Sequence, residues 1–222
     1  MNDAVQTNSD SGGATQRPPL PIVTYIVIGA CVAVFVWAFV DRSGMETALL
    51  RPMLRGAWWT LLSCTLIHSQ NPTHIVFNLL AFNVLGRIVE WTIGSLRFAL
   101  LLLATAWVSS FSQIYIEHIP GIGLSGVVYA VFGFILGASP TNPYFMWFVK
   151  KNAPMLIGWA VLCLVLTQTK IMGIANTAHF SGLFYGAICG LIYGLPKYRF
   201  VFLALSILVA LGTVVLLYTP VS

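Results

Sequence analysis

Gly121-Ile122-Gly123-Leu124-Ser125-Gly126-Val127-Val128-Tyr129-Ala130 is a glycine-rich approach that delivers one serine into an apolar run reaching Gly137. The run belongs in lipid, and Ser125 stands at or beside its first helical turn. Taken alone, the stretch has an ordinary reading: Gly123 and Gly126 let helices pack closely, and Ser125 satisfies its own backbone. It is not a Gly-x-Ser-x-Gly nucleophile elbow, because Val127 occupies the last glycine's place. Whether the serine does chemistry depends on its partners elsewhere in the chain.

The surroundings are a membrane. Of the 222 residues, 58% are hydrophobic and 8% charged, and the mean hydropathy is +0.87. A soluble domain carries about a quarter charged residues, so the chain reads as an all-α, polytopic membrane protein. The net charge of +5 comes from basic residues scattered singly at the ends of apolar runs. They form no nucleic-acid patch and read as topology signals in a lipid bilayer. Cys31, Cys64, Cys163 and Cys189 lie in or beside apolar stretches without CxxC spacing or a histidine cluster. They are expected to be buried small hydrophobes, with no metal site.

Residues 1–18 are polar and read as a disordered tail that is not a signal peptide. Seven spans are expected to follow. The first covers about Ile22 to Val40; a lipid-level loop over 41–71, with Trp58-Trp59 at the interface, leads to a second span. That span starts at Pro72, with Asn71 as its cap. A third covers Phe98 to Ile116 and leaves Glu117 in an outer loop. The serine helix is fourth and stops near Ser139-Pro140. A fifth covers Pro154 to Leu166, a sixth Ala175 to Gly194 and a seventh Phe200 to Tyr218. With the N-terminus inside, seven basic residues lie on the cytoplasmic side and four outside, which favours that orientation and puts the C-terminus outside.

The even-numbered spans then run in parallel. Counted back from their inner ends, Ser125 lies 14 residues before Ser139, His179 lies 17 before Pro196, and Asn78 lies 16 before Gly94. At 1.5 Å per residue these depths agree within roughly 5 Å. The serine helix is only about 21 Å long in a hydrocarbon layer of about 30 Å. Irregular backbone before it must be enclosed in protein or face water. His179, Gly182 and Gly186 share a face continued by Gly190 and Gly194, and Gly126, Ala130, Gly133 and Gly137 form a second small-residue stripe. The two stripes allow a close approach. Bulk at Gly194, beside Pro196 at a fraying end, is expected to be absorbed better than bulk at Gly182. An ionisable residue within a span is a functional candidate, and His179 is the base available to Ser125. His74 and Asn78, four apart on one helix face, offer donors to an oxyanion together with the Ser125 backbone N–H.

Gly123-Leu124-Ser125-Gly126, His74-x-x-x-Asn78, Gly86-x-x-x-Glu90-x-x-x-Gly94 and Ala178-His179-x-x-Gly182-x-x-x-Gly186 together resemble the rhomboid intramembrane serine proteases. The similarity runs from about Trp58 to Gly194. It implies a six-helix core over 19–195 with an added C-terminal transmembrane helix over 196–222. It also implies a cofactor-free endopeptidase with Ser125 as nucleophile, His179 as general base, and His74 and Asn78 as oxyanion donors. Tyr129 would pack on the histidine ring, and Gly123, Gly126, Gly182 and Gly186 would support the site. The partners implied are single-span membrane proteins, met in the plasma membrane. Where rhomboids commonly carry Trp-Arg in the first loop, this chain has Trp59-Thr60, with Arg55 upstream. A rhomboid-like pseudoprotease that binds without cutting is the alternative, and a transporter using the same polar residues as a pathway is a third.

Overall fold

The computed structural model describes residues 19–218, apart from the side chains of Leu54 and Arg55. The expected tail over 1–18 and the role of Arg55 lie outside what is described. Among the described residues the chain is helical throughout: α1 (Ile22–Val40), α2 (Arg42–Leu49), α3 (Thr60–Ser63), α4 (Pro72–Ile93), α5 (Ser95–Glu117), α6 (Ser125–Ala138), α7 (Pro143–Gln168), α8 (Asn176–Gly194) and α9 (Arg199–Leu217), with short 3₁₀ turns between. Five segments are long and apolar enough to cross a membrane: α1, α4, α5, α7 and Pro196–Leu217, which contains α9. The apolar stretch containing α6 is shorter. The helix α8 is as long as α1 but opens with Asn176, Thr177, His179 and Ser181, and is not one of the five.

The serine helix forms the centre. Ala130, Val131 and Ile135 of α6 are fully buried, and Phe134 nearly so. A helix of 14 residues cannot cross the bilayer alone, so its ends are served by protein. Its tightest neighbour is α8. A methyl group added at Gly182, Gly186, Gly190 or Gly194 would overlap the carbonyl oxygen of Gly126, Ala130, Phe134 or Gly137 respectively. From the other side, Gly133 and Gly137 are closed by the Leu183 and Ala187 carbonyls. The two backbones touch along the whole length, so Gly194 is as tightly packed as Gly182. The expectation of slack at Gly194 is therefore incorrect: helix ends fray where neighbours are absent, and here the Gly137 carbonyl is a neighbour.

The first span is fastened at its N-terminus by a side chain from α4. Pro21 provides no cap for α1. Instead, Glu90 accepts from the Val23 N–H at 2.9 Å, the Thr24 N–H at 2.8 Å and the Thr24 hydroxyl at 2.7 Å, and also from Ser95 Oγ at 2.7 Å. Carboxylates stabilise helix N-termini, and Gly86 makes room for Thr24, the nearest atoms to an added methyl group being 3.1 Å away. Gly94 then ends α4 at φ 83°, a backbone that favours glycine. Replacing Glu90 by Ala strands buried donors and is expected to cost about 3 kcal/mol. Thermal unfolding in detergent should shift down; an unchanged transition would show that the carboxylate does not hold α1.

The fifth expected span begins earlier than Pro154. Asn142 accepts from the Tyr144 and Phe145 N–H groups and Pro143 takes the first turn, the same Asn-Pro start as in α4. The helix continues through Pro154, which removes one hydrogen bond without ending it. Lys151 folds over Trp147 with Nζ 4.9 Å from the ring centroid. Only Phe145 and Cys163 of α7 are buried, so this helix is mostly open to lipid. Glu117 is likewise not in a loop but is the last residue of α5. The seventh span docks through two buried polar residues. Trp107 Nε1 donates to Thr213 Oγ1 at 2.9 Å, and the Tyr185 hydroxyl to the Ser206 carbonyl at 3.4 Å.

Candidate active site

Ser125 is the first residue of α6, and no side chain caps that helix. Its opening N–H groups therefore keep their hydrogens, as first-turn donors do. The approach is irregular and held from the first loop: the Gly123 N–H donates to the Cys64 carbonyl at 3.2 Å, and the Leu124 N–H to His68 Nε2 at 3.4 Å. Irregular backbone at this depth is thus satisfied within the protein. Gly123 sits at φ 106° with the His74 ring where a side chain would be, 2.7 Å from Nε2 to an added Cβ. Both the positive φ and the histidine require glycine there.

His179 lies in the second turn of α8 and is buried. Its Nε2 is 2.7 Å from Ser125 Oγ. Tyr129, one turn after the serine, stacks on the imidazole at 4.4 Å between centroids and 8° between planes. When Nε2 accepts a hydrogen bond from the Ser125 hydroxyl, the neutral ring carries its own proton on Nδ1. Nδ1 is buried without a partner among the described residues, so the face of the ring, stacked on Tyr129, sets its orientation. The two glutamates near the bundle ends are engaged elsewhere, Glu90 on α1 and Glu117 on the Thr177 hydroxyl at 2.7 Å.

Two other histidines, His74 and His68, have readable tautomers. His74 Nδ1 accepts from the Ser69 N–H at 3.2 Å, so its proton sits on Nε2, the atom facing Gly123. His68 accepts at Nε2 from Leu124, so its Nδ1–H donates to the Leu66 carbonyl at 3.1 Å. Burial first, and the neighbouring His74 second, hold the His68 imidazole down to about 4, which keeps it neutral. Asn78 is buried, and its amide nitrogen donates to the His74 carbonyl at 2.8 Å, leaving one amide hydrogen.

Three features escaped the sequence reading. His68 anchors the serine loop. Thr60, buried where an arginine was the reference, donates its hydroxyl to the Ala57 carbonyl and closes the first-loop turn. Along α5, Ser109 and Gln113 form a buried polar stripe that ends at Glu117. Ser109 lies against Gly126, and Gln113 packs against Gly121 while accepting from the Ala178 N–H at 3.1 Å. Polar residues every four positions on an apolar helix were the available signal. Beside Ser125 is a cavity of about 10 Å³ lined by Thr65, Ser109, Ser110, Gly123 and Ala178, about the space of one water.

Known proteins share this chain's pattern. The family model of the rhomboid domain matches residues 55–196. Rhomboid protease GlpG of Haemophilus influenzae is 30% identical over 179 residues, covering 77% of this chain and 90% of the relative. Rhomboid protease GluP of Bacillus subtilis is 26% identical over 189 residues, covering 80% of this chain. The aligned region spans 36% of that relative's length. The domain match takes in the first loop from residue 55 onward and every helix from α4 to α8, and with a relative matched over nine-tenths of its length, this multi-pass membrane protein belongs to the rhomboid family.

Proposed function

We propose that the chain is an intramembrane serine endopeptidase working through a Ser125–His179 dyad. The observation that carries this reading is the 2.7 Å approach of His179 Nε2 to Ser125 Oγ, with the ring fixed by Tyr129. In the proposed reaction Ser125 Oγ attacks the peptide carbonyl as its proton passes to Nε2. The tetrahedral oxyanion forms beside the Ser125 N–H and the His74 Nε2–H, with the remaining Asn78 amide hydrogen as a third donor. The imidazolium returns its proton to the leaving amine, and water then hydrolyses the acyl-serine by the same route. The 10 Å³ cavity beside Ser125 is suited to holding that water.

The substrates proposed are single-span membrane proteins, reached from the bilayer. The plasma membrane is the proposed location, with the N-terminus inside and the C-terminus outside, supported by the basic-residue bias. The proposed division is a six-helix core over 19–195 and an added helix over 196–222. A C-terminal reporter should be accessible from outside; a cytoplasmic reporter would reverse the orientation.

The test of the enzyme reading is covalent labelling by a serine-directed fluorophosphonate. Wild type should be labelled on Ser125 and Ser125→Ala should not; absence of labelling on a folded wild type would favour the pseudoprotease. His74→Ala should lower kcat by about 10²-fold, the usual cost of one oxyanion donor, with little change in thermal stability. Wild-type turnover by His74→Ala would remove it from the oxyanion site.

A further inference from the structure

The helix that carries His179 has no N-cap of its own. Ala175 precedes it and supplies no side-chain acceptor, so the opening donors of α8 must be met from elsewhere. Two side chains one turn apart on α5 meet this end. Gln113 Oε1 accepts from the Ala178 N–H at 3.1 Å, and Glu117 Oε1 accepts from the Thr177 hydroxyl at 2.7 Å. The position of Glu117 is informative. A carboxylate on the last residue of α5 opposes that helix's own dipole, but beside the first turn of α8 it faces a positive helix end. Its gain therefore comes from the helix it reaches.

Glu117 is also where the serine loop departs. His118 turns at φ 57° and its N–H closes α5 on the Ile114 carbonyl at 2.9 Å. The chain then reaches Ser125 in seven further residues. One residue thus terminates the strut from which the serine is suspended and grips the turn that precedes the histidine. Asn176 adds a hold from α7 through Thr167 Oγ1 at 2.8 Å, but that helix is largely unpacked. Of the α5 contacts, the Gln113 bond to the Ala178 N–H is buried and the Glu117 bond to the Thr177 hydroxyl is exposed.

We propose that Glu117 and Thr177 are positioning residues: their hydrogen bond keeps the first turn of α8 from fraying and so sets the distance between His179 and Ser125. The proposal rests on the dyad reading above. Neither residue touches the reacting atoms. Because a misplacement of about 1 Å is worth about 10²-fold in rate, loss of one of three holds is expected to cost about tenfold.

The variants are Glu117→Leu, Glu117→Gln, Thr177→Val and the double Glu117→Leu/Thr177→Val, purified in detergent. The readouts are the fluorophosphonate labelling rate of Ser125, kcat and KM on a transmembrane substrate, and thermal unfolding. Glu117→Leu and Thr177→Val should each slow labelling and kcat by about tenfold with KM changed less than about twofold. Glu117→Gln, which retains an acceptor, should recover most of the rate. The double variant should be no slower than either single one. Unchanged kcat per folded enzyme with a lowered unfolding temperature would reduce the pair to plain stabilisation and overturn the proposal. A raised KM with unchanged labelling would make Glu117 a substrate contact, overturning it as well. A wild type labelled at Ser125 with Glu117→Leu labelled equally fast defeats the positioning role alone, whereas a folded wild type that is never labelled there defeats the dyad and the positioning role together.

Discussion

Purified Ser125→Ala and His179→Ala are each expected to lose about 10⁶-fold in turnover, with the double mutant no slower than either, since the nucleophile and base of the proposed dyad would act as one unit. The hydroxyl is a poor nucleophile until its proton leaves, and the acceptor within reach is His179 Nε2 at 2.7 Å. Removing the base strands the nucleophile; removing the nucleophile leaves the base without a proton to take. What survives is binding and oxyanion stabilisation, which His74 and the α6 N-terminus would still provide. Folding should be preserved, because α6 and α8 are held by backbone contact at Gly182, Gly186, Gly190 and Gly194, and not by the serine–histidine bond. His179→Gln separates geometry from chemistry: it keeps a polar reach toward Oγ but supplies no base, and should be as inactive as His179→Ala. The measurement is substrate cleavage in detergent and in liposomes, with thermal unfolding as the control for structure. Substantial turnover by Ser125→Ala would end the mechanism.

Much of this arrangement was legible because the bilayer restricts what a sequence can do. Apolar runs must become helices, and counting along parallel helices with a known rise sets Ser125 and His179 at one depth, in agreement with their 2.7 Å contact. Asn71-Pro72 announces the start of α4 in the same way that Asn142-Pro143 starts α7; the latter was missed because Lys150 and Lys151 interrupt hydropathy and Pro154 looked like a beginning. Membrane interfaces tolerate such interruptions, so hydropathy locates the span better than it locates the helix end. The partners of irregular backbone were not legible. Nothing local states that His68 receives the Leu124 N–H or that Gln113 receives that of Ala178, since these pairs are separated by 56 and 65 residues. Glu117 was similarly misplaced, by one residue, because its hydrogen-bond partner is at the start of a different helix.

Gly182→Val is expected to reduce activity by at least about 10³-fold per folded enzyme, and Gly194→Val by less than about tenfold, although both lose stability. The stability loss is common to them because an added Cβ overlaps a backbone oxygen at either position, that of Gly126 for Gly182 and that of Gly137 for Gly194. A carbonyl of a packed helix cannot rotate away as a flexible side chain can, so each substitution must separate α6 from α8. The consequence differs with depth. Gly182 is one turn from His179, and the Gly126 carbonyl it meets belongs to the residue next to Ser125. Separation there acts directly on the 2.7 Å contact, and more than 1 Å of displacement exceeds the roughly 10²-fold loss assigned to 1 Å. Gly194 is 15 residues beyond His179, about 22 Å along the helix, where α8 can splay while its outer half remains against α6. Should Gly182→Val prove too unstable to purify, Gly182→Ala supplies the smaller step at the same place and should still fall well below Gly194→Ala in Ser125 labelling rate. Equal losses per folded enzyme at the two depths would mean that the contact between α6 and α8 behaves as one rigid unit, and that no single glycine sets the distance between serine and histidine.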